Sequence, residues 1–452
     1  MPARISTFHR LFWYLSLSLA LILVSCAQTV PPTPSHAHGS AQVVRWIQQH
    51  AIPLRTVNPG GSDADLAPFK QIVGHASTVG LGEETHGTHE FIELKARLTE
   101  YLISTMGFTT FLMENDWGSS HLLDAYINGG SGDITQVMSQ SLFGSWQTQE
   151  YLALFEWMRA YNANPVHPTK IHFLGMDCQG VSQSDFDAVE QFVHQVAPQQ
   201  ETSIQNLYNP IISSSLPSAY TTYVSLNAST KQQYQNQAQQ VYDFLQAHQQ
   251  DFIRRSSPQG FALALQNARM IVQFTTYYNS STKPEALAHY YQRDTFMAEN
   301  VEWIHDHEAG TNPGIIIWAH DAHIANDTSY PSQDSRNMGG ELHARYNDSY
   351  VPLGTTLYRG TMRVYFYPDG LLRGIPAPPT NSYNYTLGQA GLALYMLTLR
   401  DIPPGPVSDW VRGPAIFVNY GLGGENLSTQ AVLSQWFDVI IHVQSTTPAN
   451  HL

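Results

Sequence analysis

The segment STVGLGEETHG, residues 77–87, places a short apolar run directly before a run of polar and ionisable residues. Its first five residues, Ser77–Leu81, include β-branched and other apolar side chains, which are typical of a short buried strand. Glu83 and His86 follow where this strand would end, and a helical pattern begins shortly afterwards. A strand that leads through a polar turn into a helix is the basic unit of an α/β fold.

Five further short apolar runs repeat this arrangement, and helical patterns separate most of them. The six predicted strands are Ser77–Leu81, Thr109–Met113, Ile171–Met176, Gly314–Trp318, Tyr350–Leu357 and Val439–Val443. Strands that alternate with helices favour a mostly parallel central sheet flanked by helices on both faces. We therefore expect an α/β fold.

Residues from about 180 to 290 differ from the rest of the chain. They are rich in Gln, Tyr and Ser, and they contain no convincing strand. The runs Val241–Phe252 and Ala262–Tyr278 are too apolar for a disordered linker. The composition predicts a helical insertion or lid within a domain that spans residues 42–452.

Ionisable residues follow four of the six predicted strands. They are Glu83 and His86, then Glu114, then Asp177, and finally His320 and His323. The carboxyl ends of parallel strands meet at one edge of the sheet, where α/β proteins bind ligands and carry out catalysis. One such residue could simply cap the next helix, whereas four such strands together predict a functional site.

The helix predicted after the first of these strands carries a lysine on its apolar side. Between Phe91 and Leu102 the apolar residues recur at helical spacing, and most charged residues, including Arg97, fall on the opposite face. Lys95 lies on the apolar side, where an unpaired cation is costly. It either extends past the edge of the core or approaches the loop that contains Glu83.

The N-terminal residues have the pattern of a bacterial lipoprotein signal peptide. The apolar run Leu11–Val24 follows two arginines and is short for a membrane-spanning helix. It ends in Leu-Val-Ser before Cys26, so residues 1–25 are predicted to be removed and Cys26 to be acylated. Residues 26–41 would then tether the domain to the outer side of a membrane in the cell envelope. An ordinary cleaved signal peptide is the alternative.

The composition argues against several classes of partner. The chain has 22 Lys and Arg against 36 Asp and Glu, which gives a net charge of −14 at pH 7. An acidic protein repels phosphate backbones and anionic lipid headgroups. We therefore expect no nucleic-acid partner, and we expect membrane contact only through the N-terminal lipid anchor.

Several ordered motifs resemble the erythromycin esterase family. They are Gly82-Glu83-x-Thr85-His86-Gly87, Glu114 at the end of the next strand, Gly175-x-Asp177-x-Gln179, Arg293-Asp294-x-x-Met297-Ala298-x-Asn300 and Ala319-His320-x-x-His323. The resemblance covers about residues 45–445. It implies an α/β hydrolase that opens macrolide lactones without a required metal or other cofactor, so the expected partner is a small-molecule ester or lactone.

The resemblance also implies roles for individual residues. His86 would be the general base, and the pocket would be completed by Glu83, Glu114, His320 and His323. Lys95 stands where an arginine is expected, and Glu84 and Asp321 replace less acidic residues, which suggests a more anionic site. The predicted substrate-binding residues are Asp177, Gln179 and Arg293.

These residue types suit hydrolysis by an activated water. A neutral His86, oriented by Glu83 or Glu114, would deprotonate the water, while Lys95 and a protonated His320 or His323 would stabilise the tetrahedral intermediate. The chain has no G-x-S-x-G motif for a nucleophilic serine.

The same sequence features are compatible with two alternatives. The predicted carboxylates and histidines could instead bind zinc or manganese in a metal-dependent hydrolase. The chain could also be a lipoprotein that binds a small molecule without turning it over.

Overall fold

A computed structural model of the protein describes residues 40–215, 220–280, 286–307, 314–327, 336–365 and 371–452. The predicted signal peptide, Cys26 and nearly all of the predicted tether lie outside the described residues. Within the described part, no helix combines the length and apolar character needed to cross a membrane.

Most strands of the described residues belong to one nine-stranded sheet, and two form a small separate sheet. The strands are β1 (Ile52–Pro53), β2 (Thr78–Leu81), β3 (Thr110–Asp116), β4 (His172–Asp177), β5 (Ile315–Trp318), β6 (Tyr350–Arg363), β7 (Leu372–Ile375), β8 (Leu394–Thr398), β9 (Ala415–Phe417), β10 (Thr429–Ala431) and β11 (Val439–Thr446). The large sheet has the order β1-β8-β11-β6-β2-β5-β3-β4, with β7 paired to β6. Strands β9 and β10 form the small sheet.

The six strands from β11 to β4 in this order are all parallel to their neighbours. They correspond to the six strands predicted from the sequence, and the α/β fold class is confirmed. Antiparallel pairing occurs at the β8 and β1 edge and at β7. Every residue of β2 and β5 is buried, as expected for parallel strands covered on both faces.

Helices cover the sheet and connect its strands. Those outside the region predicted as an insertion are α1 (Ala41–His50), α2 (Ala67–Val73), α3 (His89–Met106), α4 (Trp117–Ile127), α5 (Ile134–Ser141), α6 (Gln149–Ala163), α13 (Ala286–His307), α14 (Asp321–Ile324), α15 (Met338–Tyr346), α16 (Tyr383–Gly388), α17 (Pro406–Arg412) and α18 (Leu433–Trp436).

Helices also fill the described residues between β4 and α13. They are α7 (Gln183–Val196), α8 (Glu201–Ser215), α9 (Tyr220–Ser225), α10 (Ala228–Ala247), α11 (Gln249–Arg255) and α12 (Pro258–Ser280). Their apolar side chains form a hydrophobic cluster of their own, in which Tyr208, Tyr223 and Phe274 are fully buried. Tyr208 and Tyr223 therefore stabilise helix packing.

Strands β2, β5, β3 and β4 are consecutive neighbours in the sheet. These are the four strands after which the sequence places its ionisable residues, so the sheet order brings those residues to one edge. The pairing of β3 with β4 shifts register between Met113 and Asp116. Such an irregularity redirects side chains at the end of a strand, here those of Glu114 and Asn115.

Helix α3 differs from its predicted polar face at one position. Arg97, expected on the exposed face, is 1% exposed, so that prediction is wrong. Its guanidinium pairs with the Asp65 carboxylate at 2.5 Å and donates to the backbone oxygen of Thr56 at 2.8 Å. An arginine is buried here because a distant acidic residue neutralises it, and helical periodicity alone does not contain that partner.

Candidate active site

Glu83 joins two basic side chains at the carboxyl end of β2. One of its carboxylate oxygens lies 2.5 Å from His86 Nδ1, and the other accepts a hydrogen bond from Lys95 Nζ at 2.8 Å. Lys95 is fully buried, donates to the backbone oxygen of Ala319 at 3.3 Å, and lies 4.2 Å above the Trp318 ring. Lys95 therefore reaches the loop that carries Glu83, as one of the two sequence interpretations proposed.

Glu83 and Lys95 each stabilise the charged form of the other. Burial raises the pKa of Glu83, but the charges and hydrogen bonds of Lys95 and His86 bring that pKa below its ordinary value. Burial lowers the pKa of Lys95, and the negative charge of Glu83 opposes this shift. Glu83 is thus ionised and fixed in orientation, and it accepts a hydrogen bond from Nδ1–H of His86.

The ring of His86 lies between the rings of Trp146 and His320. Its ring centroid lies 4.9 Å from that of Trp146, in an edge-on arrangement, and 5.0 Å from that of His320. The hydrogen bond from Nδ1 to Glu83 leaves Nε2 as the basic nitrogen. Among the described residues, Nε2 of His86 has no hydrogen-bond partner.

A second network surrounds Arg293 on α13. Its guanidinium contacts both oxygens of Asp177, at 2.9 Å and 2.5 Å, and one oxygen of Glu114, at 2.7 Å. The other oxygen of Glu114 accepts from the backbone N–H of His320 at 3.0 Å. Burial raises the pKa of Glu114, but His323 and Arg293 bring it well below its ordinary value.

His323 carries the positive charge next to this network. Its Nδ1 lies 2.6 Å from Asp294, while its Nε2 lies 2.9 Å from an Arg293 nitrogen and 3.3 Å from a Glu114 oxygen. Nε2 can accept from the arginine when neutral or donate to the carboxylate when protonated. Burial opposes protonation, but Asp294 and Glu114 raise the pKa of His323 to about 9, which favours the protonated ring.

His320 differs from His323 although only two residues separate them. Its Nδ1 accepts from the backbone N–H of Ala322, and its Nε2 lies 3.2 Å from the backbone oxygen of Tyr420. Burial, together with the nearby His86, lowers the pKa of His320 to about 3. His320 is therefore neutral, with both ring nitrogens engaged by the backbone.

A cavity of about 750 Å³ opens at this edge of the sheet. Five of the predicted site residues line it. They are His86, Glu114, Asp177, Gln179 and Arg293. The other predicted residues, which do not line the cavity, lie behind these. They are Glu83, Lys95, His320 and His323. The predicted site thus separates into residues that line the cavity, of which Asp177 is fully buried, and residues that lie behind them.

The sequence interpretation missed part of the cavity wall. The end of α5 and the loop after it, from Ser139 to Trp146, form one side, and Arg363, Tyr365 and His451 contribute to another. The loop follows no predicted strand, so the rule that located the other residues could not find it. An aromatic residue between two short helical segments is a weak signal, since most such residues pack in cores.

Two acidic residues that distinguish the sequence from the expected motif lie in the core. Glu84 and Asp321 are fully buried, and burial raises the pKa of each carboxyl well above its ordinary value. Neither lines the cavity, so they add no charge that a ligand would meet. Cys178 is likewise buried, and burial raises the pKa of its thiol. A thiol held protonated in this way is a poor nucleophile.

The carboxylates predicted as metal ligands already contact basic side chains. The described residues contain no group of three His, Cys, Asp or Glu side chains arranged to hold a metal ion. Both oxygens of Glu83 contact basic side chains, and both oxygens of Asp177 contact Arg293. The carboxylates of Glu83 and Asp177 are therefore paired with basic side chains.

Comparison with known proteins places this arrangement in a family. A crystal structure of a Bacillus cereus protein matches with a TM-score of 0.79 and 31% identity, covering 90% of this chain and 98% of that one. The erythromycin esterase type II of Escherichia coli is 25% identical over 340 residues, 72% of this chain and 79% of that protein. An erythromycin esterase mutant solved in its open conformation matches with a TM-score of 0.65 at 16% identity, covering 86% and 96% of the two chains, and supports the fold alone.

Residues 103–446, about three quarters of the chain, match the protein family described as Erythromycin esterase. The resemblance inferred from the sequence motifs is therefore confirmed. This chain belongs to the erythromycin esterase family of hydrolases.

Proposed function

We propose that this protein hydrolyses an ester or lactone bond of a small molecule through a water activated by His86. The observation that carries the proposal is the buried series Lys95–Glu83–His86, which ends at the cavity. A neutral imidazole whose Nδ1 proton is held by a carboxylate presents Nε2 as a general base. Nε2 is also the atom that the described residues leave without a hydrogen bond.

The reaction proceeds in two steps. His86 Nε2 takes a proton from water while the water oxygen forms a bond to the carbonyl carbon, and the carbonyl electrons move to its oxygen. The tetrahedral intermediate then breaks its bond to the alcohol oxygen, which receives the proton from His86. Glu83 stabilises the imidazolium that exists between the two steps.

Among the residues predicted from the sequence, Arg293 is the best-placed cation to stabilise the oxyanion. It lines the cavity, and Asp177 and Glu114 fix the orientation of its guanidinium. Lys95 and His323, which the sequence offered for this role, lie behind the cavity wall. His320 is neutral, so it offers no charge. We therefore assign the oxyanion contact to Arg293, which the sequence offered as a substrate-binding residue.

The substrate we propose is a bulky, amphipathic ester or lactone of the macrolide type. A cavity of about 750 Å³ is in the range of sites for large small molecules. Its wall combines aromatic and apolar side chains, such as Trp146 and Leu142, with charged groups at the proposed reaction centre. The E. coli relative is named for erythromycin, which is a macrolide lactone.

The test is hydrolysis of erythromycin A and p-nitrophenyl butyrate by the full chain, followed by mass spectrometry. We expect one of them to gain a single water, and His86→Ala to lower kcat by at least 10³-fold. His172→Ala is the control, because His172 is exposed at the opposite end of β4. Full activity in the His86 variant would refute the mechanism.

Two further measurements separate the alternatives. A metal-dependent hydrolase would contain a stoichiometric metal by elemental analysis, and it would lose activity with a chelator and regain it with added zinc or manganese. A non-catalytic binding protein would retain either compound unchanged at every protein concentration. We expect neither result.

We also propose that the protein is a lipid-anchored enzyme of the cell envelope, on the basis of the N-terminal pattern that ends at Cys26. Membrane fractionation and labelling with a fatty-acid analogue test this. We expect the wild-type protein in the membrane fraction with label, and Cys26→Ser without label. A labelled Cys26→Ser variant would contradict the proposal.

A further inference from the structure

Residues 447–452, called the strap below, run between two loops beside His86. The backbone of the strap pairs first with the His86 loop: His89 donates to the oxygen of Thr447 at 2.9 Å, and Ala449 donates to the oxygen of Gly87 at 3.0 Å. Near Trp146 it pairs again. There Gln149 donates to Asn450 at 2.8 Å, and Leu452 donates to Gln147 at 3.0 Å. The strap therefore connects the loop that carries His86 to the loop that carries Trp146.

The peptide between Gly87 and Thr88, one residue after His86, is held from two directions. The oxygen of Gly87 accepts from the backbone N–H groups of both Ala449 and Arg363, at 3.0 Å and 2.9 Å. The side chain of Arg363 also donates to the oxygen of Ala449 at 2.8 Å, which ties the strap to β6. A Cβ atom at Gly87 would lie 2.0 Å from the Arg363 oxygen, so only glycine fits this approach.

Glu150, in the first turn of α6, is the side chain that binds both the strap and α3. It is 3% exposed, and its Oε1 lies 2.7 Å from His89 Nδ1 at the start of α3. The same oxygen accepts from the backbone and side-chain nitrogens of Asn450, at 3.1 Å and 2.8 Å. Its contacts with His89 and the strap bring the pKa of Glu150 below its ordinary value, although burial opposes this.

We infer that Glu150 is a positioning residue for His86, which it holds through His89 and the strap. The inference rests on the proposed function, in which His86 is the base. Glu150 does not line the cavity, and no described contact joins it to His86 directly. The strap lies beyond residue 446, where the match to the family ends, so the family assignment does not include it.

The physical reason is that the imidazole of His86 must keep its hydrogen bond to Glu83 while the cavity leaves its other side open. Trp146 limits the ring on one side, and the Gly87 peptide sets the position of the backbone. Because the strap fixes both, its release would let the base move relative to the carbonyl, and a displacement of about 1 Å can cost about 10²-fold in rate.

The experiment compares Glu150→Ala with Glu156→Ala in the full chain. Glu156 lies on the same helix, and its carboxylate also accepts a hydrogen bond, from Tyr126 at 2.6 Å, but no described contact joins it to the strap. On whichever of erythromycin A and p-nitrophenyl butyrate is hydrolysed, we expect Glu150→Ala to lower kcat at least tenfold with KM within threefold. Glu156→Ala should stay within twofold, and Glu150→Gln, which keeps an acceptor for Asn450, should recover part of the loss.

A merely structural role would give a different pattern. In that case, kcat per folded molecule, with the folded fraction taken from circular dichroism, would be unchanged in Glu150→Ala, and this would overturn the inference. If Glu150→Ala fails to fold, Asn450→Ala takes its place, because it removes one side-chain donor and keeps the backbone pairing. Activity in His86→Ala would refute the proposed function and with it this inference, whereas an inactive His86→Ala beside an unaffected Glu150→Ala would refute the inference alone.

Discussion

Replacing Lys95 with methionine tests whether the buried charges of Glu83 and Lys95 act as one unit. Methionine fills a similar volume without charge, so the variant leaves the Glu83 carboxylate buried with His86 as its remaining side-chain partner. Both members of the pair are 0% exposed. Removing one partner of a buried ion pair is costly because the other charge remains without compensation.

The expected loss of unfolding free energy is about 3–5 kcal/mol near pH 8. The loss should shrink as the pH falls. In the wild type, the folded-state pKa of Glu83 is below its unfolded value, so the carboxylate stabilises the fold above that unfolded value. Without Lys95, burial raises the folded-state pKa of Glu83, and the penalty is present only at a pH where the unfolded carboxyl is ionised. The difference between the two proteins therefore grows as the pH rises from about 4.5.

Urea denaturation at pH 5 and pH 8 measures these differences, and kcat is measured beside them. Lys70→Met is the matched control, since Lys70 on α2 is exposed, and we expect it to change stability by less than about 0.5 kcal/mol. The double variant Lys95→Met with Glu83→Gln should regain stability to within about 1.5 kcal/mol of the wild type, because no buried charge is left unpaired. It should remain inactive, because a glutamine cannot stabilise the His86 imidazolium.

Additive losses in the double variant would refute the reasoning, since they would mean that the two charges do not interact. A single-variant loss below about 1 kcal/mol at pH 8 would do the same. If the double variant regained both stability and activity, the result would still support the ion pair as a stabilising unit. It would also mean that Glu83 has no role in the mechanism.

Three other variants test the rest of the site. Arg293→Lys should lower kcat by about 10²-fold, because an ammonium cannot replace a guanidinium that contacts two carboxylates; Arg269→Lys, in a half-exposed pair, should stay within twofold. His323 has a folded-state pKa of about 9, above its unfolded value, so its stabilisation is complete below about pH 6.5 and is lost as the pH rises through 9. The unfolding free energy, measured in urea, should therefore change less between pH 6 and pH 10 in His323→Gln than in the wild type, by on the order of 3 kcal/mol. An unchanged pH dependence would mean that His323 carries no charge in the folded protein. Cys178→Ala should keep kcat within threefold; a loss beyond tenfold would indicate a role for the thiol.

The parallel part of the fold could be predicted because its strands are buried on both faces. A strand such as β5, with the sequence Ile-Ile-Ile-Trp, has an unbroken apolar run that burial requires. Strands β1 and β7, which pair antiparallel, were missed for the opposite reason. Strand β7 exposes three of its four residues, and β1 has only two residues, so neither carries a hydrophobic pattern that distinguishes it from a loop.

The candidate site could be located because a rule of topology connects distant residues. Once a sheet is parallel, the carboxyl ends of its strands lie together, whichever order the strands take. The rule gives the edge but not the contacts made there. It could not assign the neutral state of His320 or the charge of His323, because their backbone and carboxylate partners come from other parts of the fold.

The proposed base lies beside a carboxylate that would stabilise its protonated form. The carboxylates joined by the contacts described above are Glu83, Glu114, Asp177 and Asp294. The basic side chains joined to them are Lys95, Arg293 and His323. Under the proposed mechanism, the positive charge that forms on His86 would lie next to Glu83, whose pKa is below its ordinary value. Since these groups are already oriented and largely buried, little reorganisation opposes proton transfer, and this electrostatic preorganisation favours water activation by His86 over binding alone.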